Sequence, residues 1–349
     1  MRLPRFEYFE PETIKEACSL LLQEGTKLIA GGTDLLAVMK QKVVTPRALV
    51  NIKRIPSLDY IDYKEGEGLK IGALTTLHTI ATSPIIRERF GLLSHAAASV
   101  GTSQISSIAT LGGNVCLDSR CFYYNQSHLW KQTIAACHKI GGSVCHVVKG
   151  GDHCVSLFVA DTVPALIALS AEVSVAGTDG EKKIALEKFY TGKGENVNVL
   201  QPGQVVTEIR VPDLPPHTGG VYLKYSLREA TDFAVVGVAT VISLEAGDGV
   251  CSDAKIAFGS VASSPVRAVE AEKVIKGKQL NDKLIEDAEQ ASLKEVHPIT
   301  HMGIPASYKR KIIGALAKRA LRQAWQQAKP AEIRREKFYG GLTDEATST

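Results

Sequence analysis

The chain has 349 residues and a formal net charge of +4. This length exceeds the usual size of one hydrophobic core, so two or three domains are expected. The charge is small and the basic residues are spread along the chain, which argues against a nucleic-acid-binding protein. The longest apolar stretch, residues 155–175, is interrupted by Asp161 and Glu172, and the N-terminus has no apolar signal-peptide core. We therefore expect no membrane span and a cytoplasmic location.

The first hundred residues predict alternating short helices and strands. Apolar residues at helical spacing predict helices over 13–23, 35–39 and 79–100. Short apolar segments bounded by turn residues predict strands at 27–30, 48–52, 60–63 and 69–71. A glycine-rich turn joins the last two strands, which indicates a hairpin.

The interval between Asn114 and Asp161 shows little regular periodicity. Its 46 residues carry five of the seven cysteines and four histidines. A structureless loop of this length is uncommon inside a compact domain unless something ties it down. Thiols stay reduced in the cytosol, so this concentration indicates metal or redox chemistry before it indicates disulfides.

After this interval the sequence predicts an α+β organisation. A helix is expected from Pro164 and a strand at 172–176, where we place the end of a first domain, residues 1–176. A second domain, residues 177–328, is predicted to combine strands at 205–211, 221–226, 234–244 and 254–259 with helices at 266–275, 280–293 and 308–327. The tail, residues 329–349, is charged and then rich in Thr and Ser, so we expect it to be loosely ordered or bound to a partner.

Two glycine motifs could hold a diphosphate. The first is Ile29-Ala30-Gly31-Gly32-Thr33-Asp34-Leu35, in which a strand is followed by a tight turn and a helix start. Glycine lets backbone N–H groups approach an anion closely, and the helix N-terminus favours negative charge. Taken alone, this motif is weak, because a plain strand-to-helix turn is the more common explanation of such a pattern.

The second motif, residues 103–114, is hydroxyl-rich and also ends in Gly-Gly before a polar residue. It includes Ser103, Ile108, Thr110, Gly113 and Asn114. A structural turn alone does not explain Thr110 and Asn114. The chain contains neither a G-x-G-x-x-G fingerprint nor a P-loop, so nicotinamide cofactors and ATP are not favoured.

The pair A-G-G-T-D-L-L and A-T-L-G-G-N, with D-x-x-P-A-L-x-A-L downstream, resembles the FAD-binding (medium) subunit of the molybdenum hydroxylase family, relatives of xanthine dehydrogenase and carbon monoxide dehydrogenase. Residues 222–236 and 301–310 resemble the second domain of that family. The resemblance implies an α+β fold. A two-part FAD-binding domain of the PCMH/VAO-like flavoprotein type would precede an α+β C-terminal domain with an antiparallel sheet and helices.

The resemblance also implies roles for individual residues. Residues 29–35, together with Ser103, Ile108, Thr110, Gly113 and Asn114, would hold the ADP and diphosphate part of FAD. Asp161 would accept a hydrogen bond from the flavin side, Val206 would touch the ring system and Lys224 would lie near the isoalloxazine. As alternatives, Asp161 could be a helix N-cap and Lys224 an exposed strand residue. Ser106 and Ser107 depart from the basic and amide residues that many relatives carry there.

The cysteine-rich insertion, about residues 117–156, stands where ordinary members of the family have a much shorter connection. Cys121, Cys137, Cys145 and Cys154 could ligate a [4Fe–4S] cluster that gives the loop its fold. A zinc site is the alternative, and it could also use nearby histidines, namely His128, His138, His146 and His153. The insertion resembles the β-subunit branch of 4-hydroxybenzoyl-CoA reductase, in which four such cysteines ligate a [4Fe–4S] cluster. Cys116 is expected to be a buried small residue.

This resemblance implies an electron-transfer oxidoreductase subunit without substrate chemistry of its own, taking part in anaerobic degradation of aromatic compounds. A low-potential donor such as ferredoxin would reduce the cluster, which would pass electrons to FAD. They would continue to partner [2Fe–2S] centres and molybdenum, where a phenolic hydroxyl is removed from an aromatic acyl-CoA. The implied assembly is a dimer of heterotrimers with a molybdopterin-binding large subunit and a [2Fe–2S] small subunit. Alternatives are the equivalent subunit of another molybdenum hydroxylase or dehydroxylase, a free-standing flavin oxidase, and a non-catalytic zinc-stabilised scaffold.

Overall fold

The computed structural model describes residues 2–246, 249–301 and 303–330. The strands are β1 Glu7–Phe9, β2 Thr26–Ile29, β3 Ala48–Asn51, β4 Ile61–Lys64, β5 Gly68–Gly72, β6 Glu172–Gly177, β7 Gly180–Ala185, β8 Val205–Val211, β9 Thr218–Tyr225, β10 Val236–Leu244, β11 Cys251–Gly259 and β12 Val266–Arg267. The helices are α1 Ile14–Leu20, α2 Leu35–Lys40, α3 Leu77–Thr82, α4 Pro84–Arg89, α5 Gly91–Ala98, α6 Ser103–Ser106, α7 Leu111–Val115, α8 His128–Lys131, α9 Thr162–Ala168, α10 Val269–Ile275, α11 Asp282–Glu295 and α12 Ala306–Ala328. None of the helices in these ranges is long and apolar enough to cross a membrane.

Three sheets organise the chain. A small parallel sheet has the order β1-β3-β2, and an antiparallel sheet of five strands has the order β4-β5-β8-β6-β7. The third sheet, of order β12-β11-β10-β9, is also antiparallel. The predicted α+β class is confirmed, as is the antiparallel sheet with helices in the C-terminal part.

The third sheet lies between two layers of helices. Helices α10 and α12 pack on one face, α11 packs against both of them, and α5 and α9 pack on the other face. Every residue of β10 is therefore buried, as is usual for a strand covered on both faces. Apolar side chains on one face join the core around α10 and α12, whereas Tyr222, Ala239, Val241 and Ala257 join the core of the N-terminal part. The two parts of the chain thus share an apolar contact through this sheet.

The five-stranded sheet extends past the division that we expected at residue 176. Strand β8 pairs with β5 on one side and with β6 on the other, so it joins two hairpins from distant parts of the sequence. The sheet of the N-terminal part consequently continues to Val211. Within the tail, residues 331–349 lie outside the described residues.

Local details depart from the sequence predictions at turns and edges. The single helix expected over 79–100 is three helices, because Pro84 starts α4 and Gly91 starts α5. The helix expected from residue 266 begins at Val269, after the short strand β12. No sequence signal predicts β1 or β7, which are short or mostly exposed and lack alternating apolar residues.

Candidate functional site: a cleft beside a cysteine pocket

A cleft of about 590 Å³ lies where the N-terminal part meets the loop after β9. Its volume is in the range that binds cofactors and other small molecules. Both glycine motifs line this cleft, and Phe233 contributes from the C-terminal part. The cleft is therefore formed by segments that are far apart in the sequence.

The first glycine motif follows β2 directly and leads into α2. Gly32 has a φ of +69°, a conformation that glycine adopts without the steric cost of a side chain. Gly31 lies against the second motif so closely that an added Cβ would be 2.3 Å from the carbonyl oxygen of Ile108. The two turns are thus in direct backbone contact and present one continuous wall.

Two threonine hydroxyl groups, one in the second motif and one directly before it, cap helices. The Thr102 side chain accepts a hydrogen bond from Ile105 N at 3.3 Å, and Thr110 accepts one from Gly113 N at 3.2 Å. Asn114 Oδ1 accepts from the Thr162 hydroxyl at 2.6 Å, which ties this turn to α9. These contacts give Thr110 and Asn114 structural roles, contrary to our expectation that a turn would not explain them.

A buried ion pair connects the floor of the cleft to the third sheet. Asp161 is 4% exposed, and its carboxylate accepts from Lys224 Nζ and from the Tyr222 hydroxyl, both at 2.8 Å. Lys224 Nζ also donates to the carbonyl oxygens of Ser99 and Asp232. Burial raises the pKa of Asp161, while Lys224 and Tyr222 oppose that rise. Burial, together with the neighbouring carboxylate, raises the pKa of Tyr222 well above its usual value.

Asp161 is not a side-chain cap of α9, and Lys224 is not an exposed strand residue, so both alternative predictions are wrong. Asp161 precedes α9, but its side chain makes no capping hydrogen bond. The side chain of Lys224 is only 12% exposed, because it reaches inward to Asp161.

A second, smaller pocket lies inside the insertion. All four cysteines predicted as ligands line it, namely Cys121, Cys137, Cys145 and Cys154. Tyr124 lines both this pocket and the cleft, so the two cavities share a wall. The insertion is closed at its base where Arg120 pairs with Leu157, and within it Cys137 pairs with Val144.

The thiol groups of this pocket have nearby hydrogen-bonding groups. Val148 N donates to Cys145 Sγ at 3.4 Å, and Ser156 Oγ lies 3.1 Å from Cys154 Sγ. Burial raises the pKa of Cys121, and backbone N–H groups of Tyr124 and Tyr123 counteract this rise. Such donors favour the thiolate form, which is the form that binds metals. Over 2–246, 249–301 and 303–330, no three His, Cys, Asp or Glu side chains converge as ligands of one metal ion.

Comparison with known families identifies the kind of protein that contains this cleft. Residues 4–214 match the family described as the FAD binding domain in molybdopterin dehydrogenase. Residues 221–324 match the CO dehydrogenase flavoprotein C-terminal domain. The chain is a FAD-binding medium subunit of the molybdenum hydroxylase family.

Individual relatives agree with this assignment over nearly the whole medium subunit. It is 31% identical to the carbon monoxide dehydrogenase medium chain of Hydrogenophaga pseudoflava, over 92% of this chain and 98% of the relative. It is 25% identical to the putative xanthine dehydrogenase FAD-binding subunit of Escherichia coli, over 91% and 95% of the two chains. A solved carbon monoxide dehydrogenase structure from H. pseudoflava, which lacks the Mo-pyranopterin moiety, superposes with a TM-score of 0.78 at 29% identity, covering 94% and 99%.

Most residues that the sequence predicted for FAD line the cleft of this flavoprotein. They are Ile29, Ala30, Gly31, Gly32, Thr33, Asp34, Leu35, Thr110, Gly113, Asn114, Asp161 and Val206. Ser103 and Ile108 are not among the lining residues, and Lys224 is connected to the cleft through Asp161. Cys116, expected to be a buried small residue, lines the cleft, and burial raises its pKa to about 12.

Arg120 is a cleft residue that the sequence reasoning missed. Its guanidinium pairs with Asp34 of the first glycine motif and lies 5.1 Å from the ring centre of Phe233. Its Nε is buried and has no partner among the described residues. The sequence offers one signal for Arg120, namely its position directly before Cys121. A cation at this position lies at the junction of the insertion with the flavin domain.

Proposed function

We propose that this medium subunit carries both FAD and a [4Fe–4S] cluster and serves a molybdenum-containing 4-hydroxybenzoyl-CoA reductase. The observation that supports this most directly is the pocket lined by Cys121, Cys137, Cys145 and Cys154 beside the flavin cleft, with Tyr124 in the shared wall. Each thiolate of such a cluster binds a different iron atom, so four sulfurs around a pocket suit it without converging on one point. An FAD domain alone would not need this insertion.

The residues of the cleft suit a flavin dinucleotide. The contact between Gly31 and the second motif joins the two turns into one wall, and the glycines of the first turn let an anion approach its backbone N–H groups closely, as a diphosphate requires. Lys224, fixed by Asp161, would place positive charge near the ring, where it favours the reduced anionic flavin. When bound, FAD would couple carriers of single electrons to carriers of electron pairs.

Electron flow in this proposal runs from ferredoxin to the cysteine-bound cluster and then to FAD. From FAD, electrons would reach the [2Fe–2S] small subunit and the molybdopterin-binding large subunit within a cytoplasmic dimer of heterotrimers. Two electrons and two protons would remove the phenolic hydroxyl as water and leave a C–H bond on the ring. The substrate would bind the large subunit, so this chain would supply electrons only.

Metal and flavin analysis of the anaerobically purified complex tests the cofactor content. We expect one FAD and about four iron atoms in the medium subunit, beyond the iron of the small subunit. Cys137→Ser should lower this iron while most of the FAD stays bound, because the flavin cleft does not include Cys137. Cys251→Ser is the matched control, since Cys251 is buried in the C-terminal part and should leave both cofactors unchanged. Zinc in place of iron would contradict the cluster.

Turnover tests the proposed substrate. With reduced ferredoxin as donor, the complex should convert 4-hydroxybenzoyl-CoA to benzoyl-CoA. A complex that carries the cluster but reduces or hydroxylates only a different aromatic compound would identify the subunit of another molybdenum enzyme. That outcome would reject the substrate while keeping the electron path.

A further inference from the structure

Lys139 is a buried cation in the wall between the two cavities. Its side chain is only 3% exposed although it lies in a surface insertion. The ammonium donates to Asp118 Oδ1 and to Ser119 Oγ, both at 2.8 Å, and to the carbonyl oxygen of Gly194. It also lies 5.0 Å from the ring centre of Tyr124, the residue that lines both cavities. Burying a charge is costly, so a lysine held by three acceptors calls for an explanation.

A short polar network links this lysine to a cysteine of the pocket. Ser119 Oγ is 2.5 Å from Ser156 Oγ, which is in turn 3.1 Å from Cys154 Sγ. Asp118 and Ser119 line the flavin cleft, whereas Lys139, Cys154 and Ser156 line the cysteine pocket. The network therefore runs from one cavity to the other.

Two carboxylates oppose the charge of Lys139 near the pocket, namely Asp118 and Glu195, which accepts a hydrogen bond from Cys154 N at 3.0 Å. Asp118 is 51% exposed, so water screens its carboxylate much more than the buried ammonium. No other Lys or Arg lines the cysteine pocket among the described residues. The field in the pocket consequently has a positive contribution from the buried ammonium of Lys139, to which Lys131, 5.3 Å from the ring centre of Tyr124, adds on the side of Cys137.

We propose that Lys139 is a positioning residue that sets the redox potential of the centre held by the four cysteines. This inference rests on the proposed cluster. Each electron added to a thiolate-bound cluster increases its negative charge by one, so a fixed buried cation stabilises the reduced state and raises the potential. The ammonium acts through the electric field and its hydrogen-bond network and binds no iron.

A redox titration of the assembled, anaerobically purified enzyme tests the inference. Electron paramagnetic resonance of the reduced cluster reports how much of the cluster is reduced at each potential. In Lys139→Gln, the ratio of reduced to oxidised cluster at a given potential should fall at least tenfold, a shift of about 59 mV for one electron. Asp118→Asn should shift the potential upward, because it removes the negative partner while keeping the oxygen that accepts from Lys139. Lys149→Gln, at an exposed lysine of the same insertion, should leave the potential unchanged.

The two variants should shift the potential of the cluster in opposite directions, downward in Lys139→Gln and upward in Asp118→Asn. A merely structural role of Lys139 would not produce shifts of opposite sign. An unchanged potential in a Lys139→Gln enzyme that retains its iron would overturn the inference. If Lys139→Gln loses iron, Asp118→Asn decides, and an unchanged potential there also overturns it. Equal shifts of the potential in Lys149→Gln and Lys139→Gln would also overturn the inference, because the exposed lysine would then act as strongly as the buried one. Absence of iron from the unsubstituted subunit would instead reject the proposed function, so the two failures are distinguishable.

Discussion

Replacing Gly31 with Ala should weaken FAD binding by separating the two glycine motifs. The new methyl group would lie 2.3 Å from Ile108 O and 3.1 Å from Ala109 Cα. Ordinary contact begins at 3.4 Å, so the second motif would have to retreat by about 1 Å. Forcing an extra methyl group into packed structure costs about 1–3 kcal/mol. If the bound state bears this cost, the dissociation constant of FAD rises by about 5- to 150-fold.

Titration of the flavin-free complex with FAD, followed by quenching of flavin fluorescence, measures this effect. Gly91→Ala is the matched control, because an added Cβ there meets nothing within 4 Å. It should leave the dissociation constant within twofold of the unsubstituted value. A Gly31→Ala protein that binds FAD as tightly as this control would refute the argument that the contact between the turns shapes the site.

Three further predictions concern buried charges. Lys224→Met should lower the free energy of unfolding by about 3–5 kcal/mol in urea denaturation, because the Asp161 carboxylate loses its cation, whereas a loss below 1 kcal/mol would contradict this. Lys309→Met should stabilise the protein at pH 7 by about 3 kcal/mol, since burial lowers the pKa of Lys309 from 10.5 to about 8. Between pH 8 and 10.5 the unfolded state of the unsubstituted protein binds more protons than the folded state, so its stability rises with pH. Thermal melts should therefore show the advantage of Lys309→Met shrinking over this range. An advantage that does not change with pH would show that the buried charge of Lys309 is not its cause. Arg267→Lys should lower the free energy of unfolding by about 1–2 kcal/mol, because Nε and Nη2 of Arg267 both donate to Glu272 and a lysine cannot make both hydrogen bonds. An unchanged midpoint of urea denaturation would contradict this prediction.

Local sequence signals predicted much of the architecture. The strand, Gly-Gly turn and helix start around Gly31 could be read from a few adjacent residues, and the structure has β2, the turn and α2 in that order. The four insertion cysteines could likewise be singled out by their number and clustering, and they line one pocket. In both cases the signal lies within a short stretch of chain or in one residue type.

Contacts across long separations could not be predicted in the same way. Strand β8 was assigned to the second domain, because no local feature of its sequence indicates that it pairs with β5, more than a hundred residues earlier. The pairing of Arg120 with Asp34 and the contact of its guanidinium with Phe233 depend on how three distant segments pack. Lys139 carries no motif, and only its burial distinguishes it from Lys149.

The position of β8 has a consequence for the order of events during synthesis. Within the five-stranded sheet, this strand lies between the hairpins β4-β5 and β6-β7 and joins them. A ribosome therefore releases the whole cysteine-rich insertion before the strand that joins these two hairpins has emerged. Flavin loading would encounter an unfinished domain until Val211 is free. A nascent chain truncated before Val205 should remain as two unjoined hairpins.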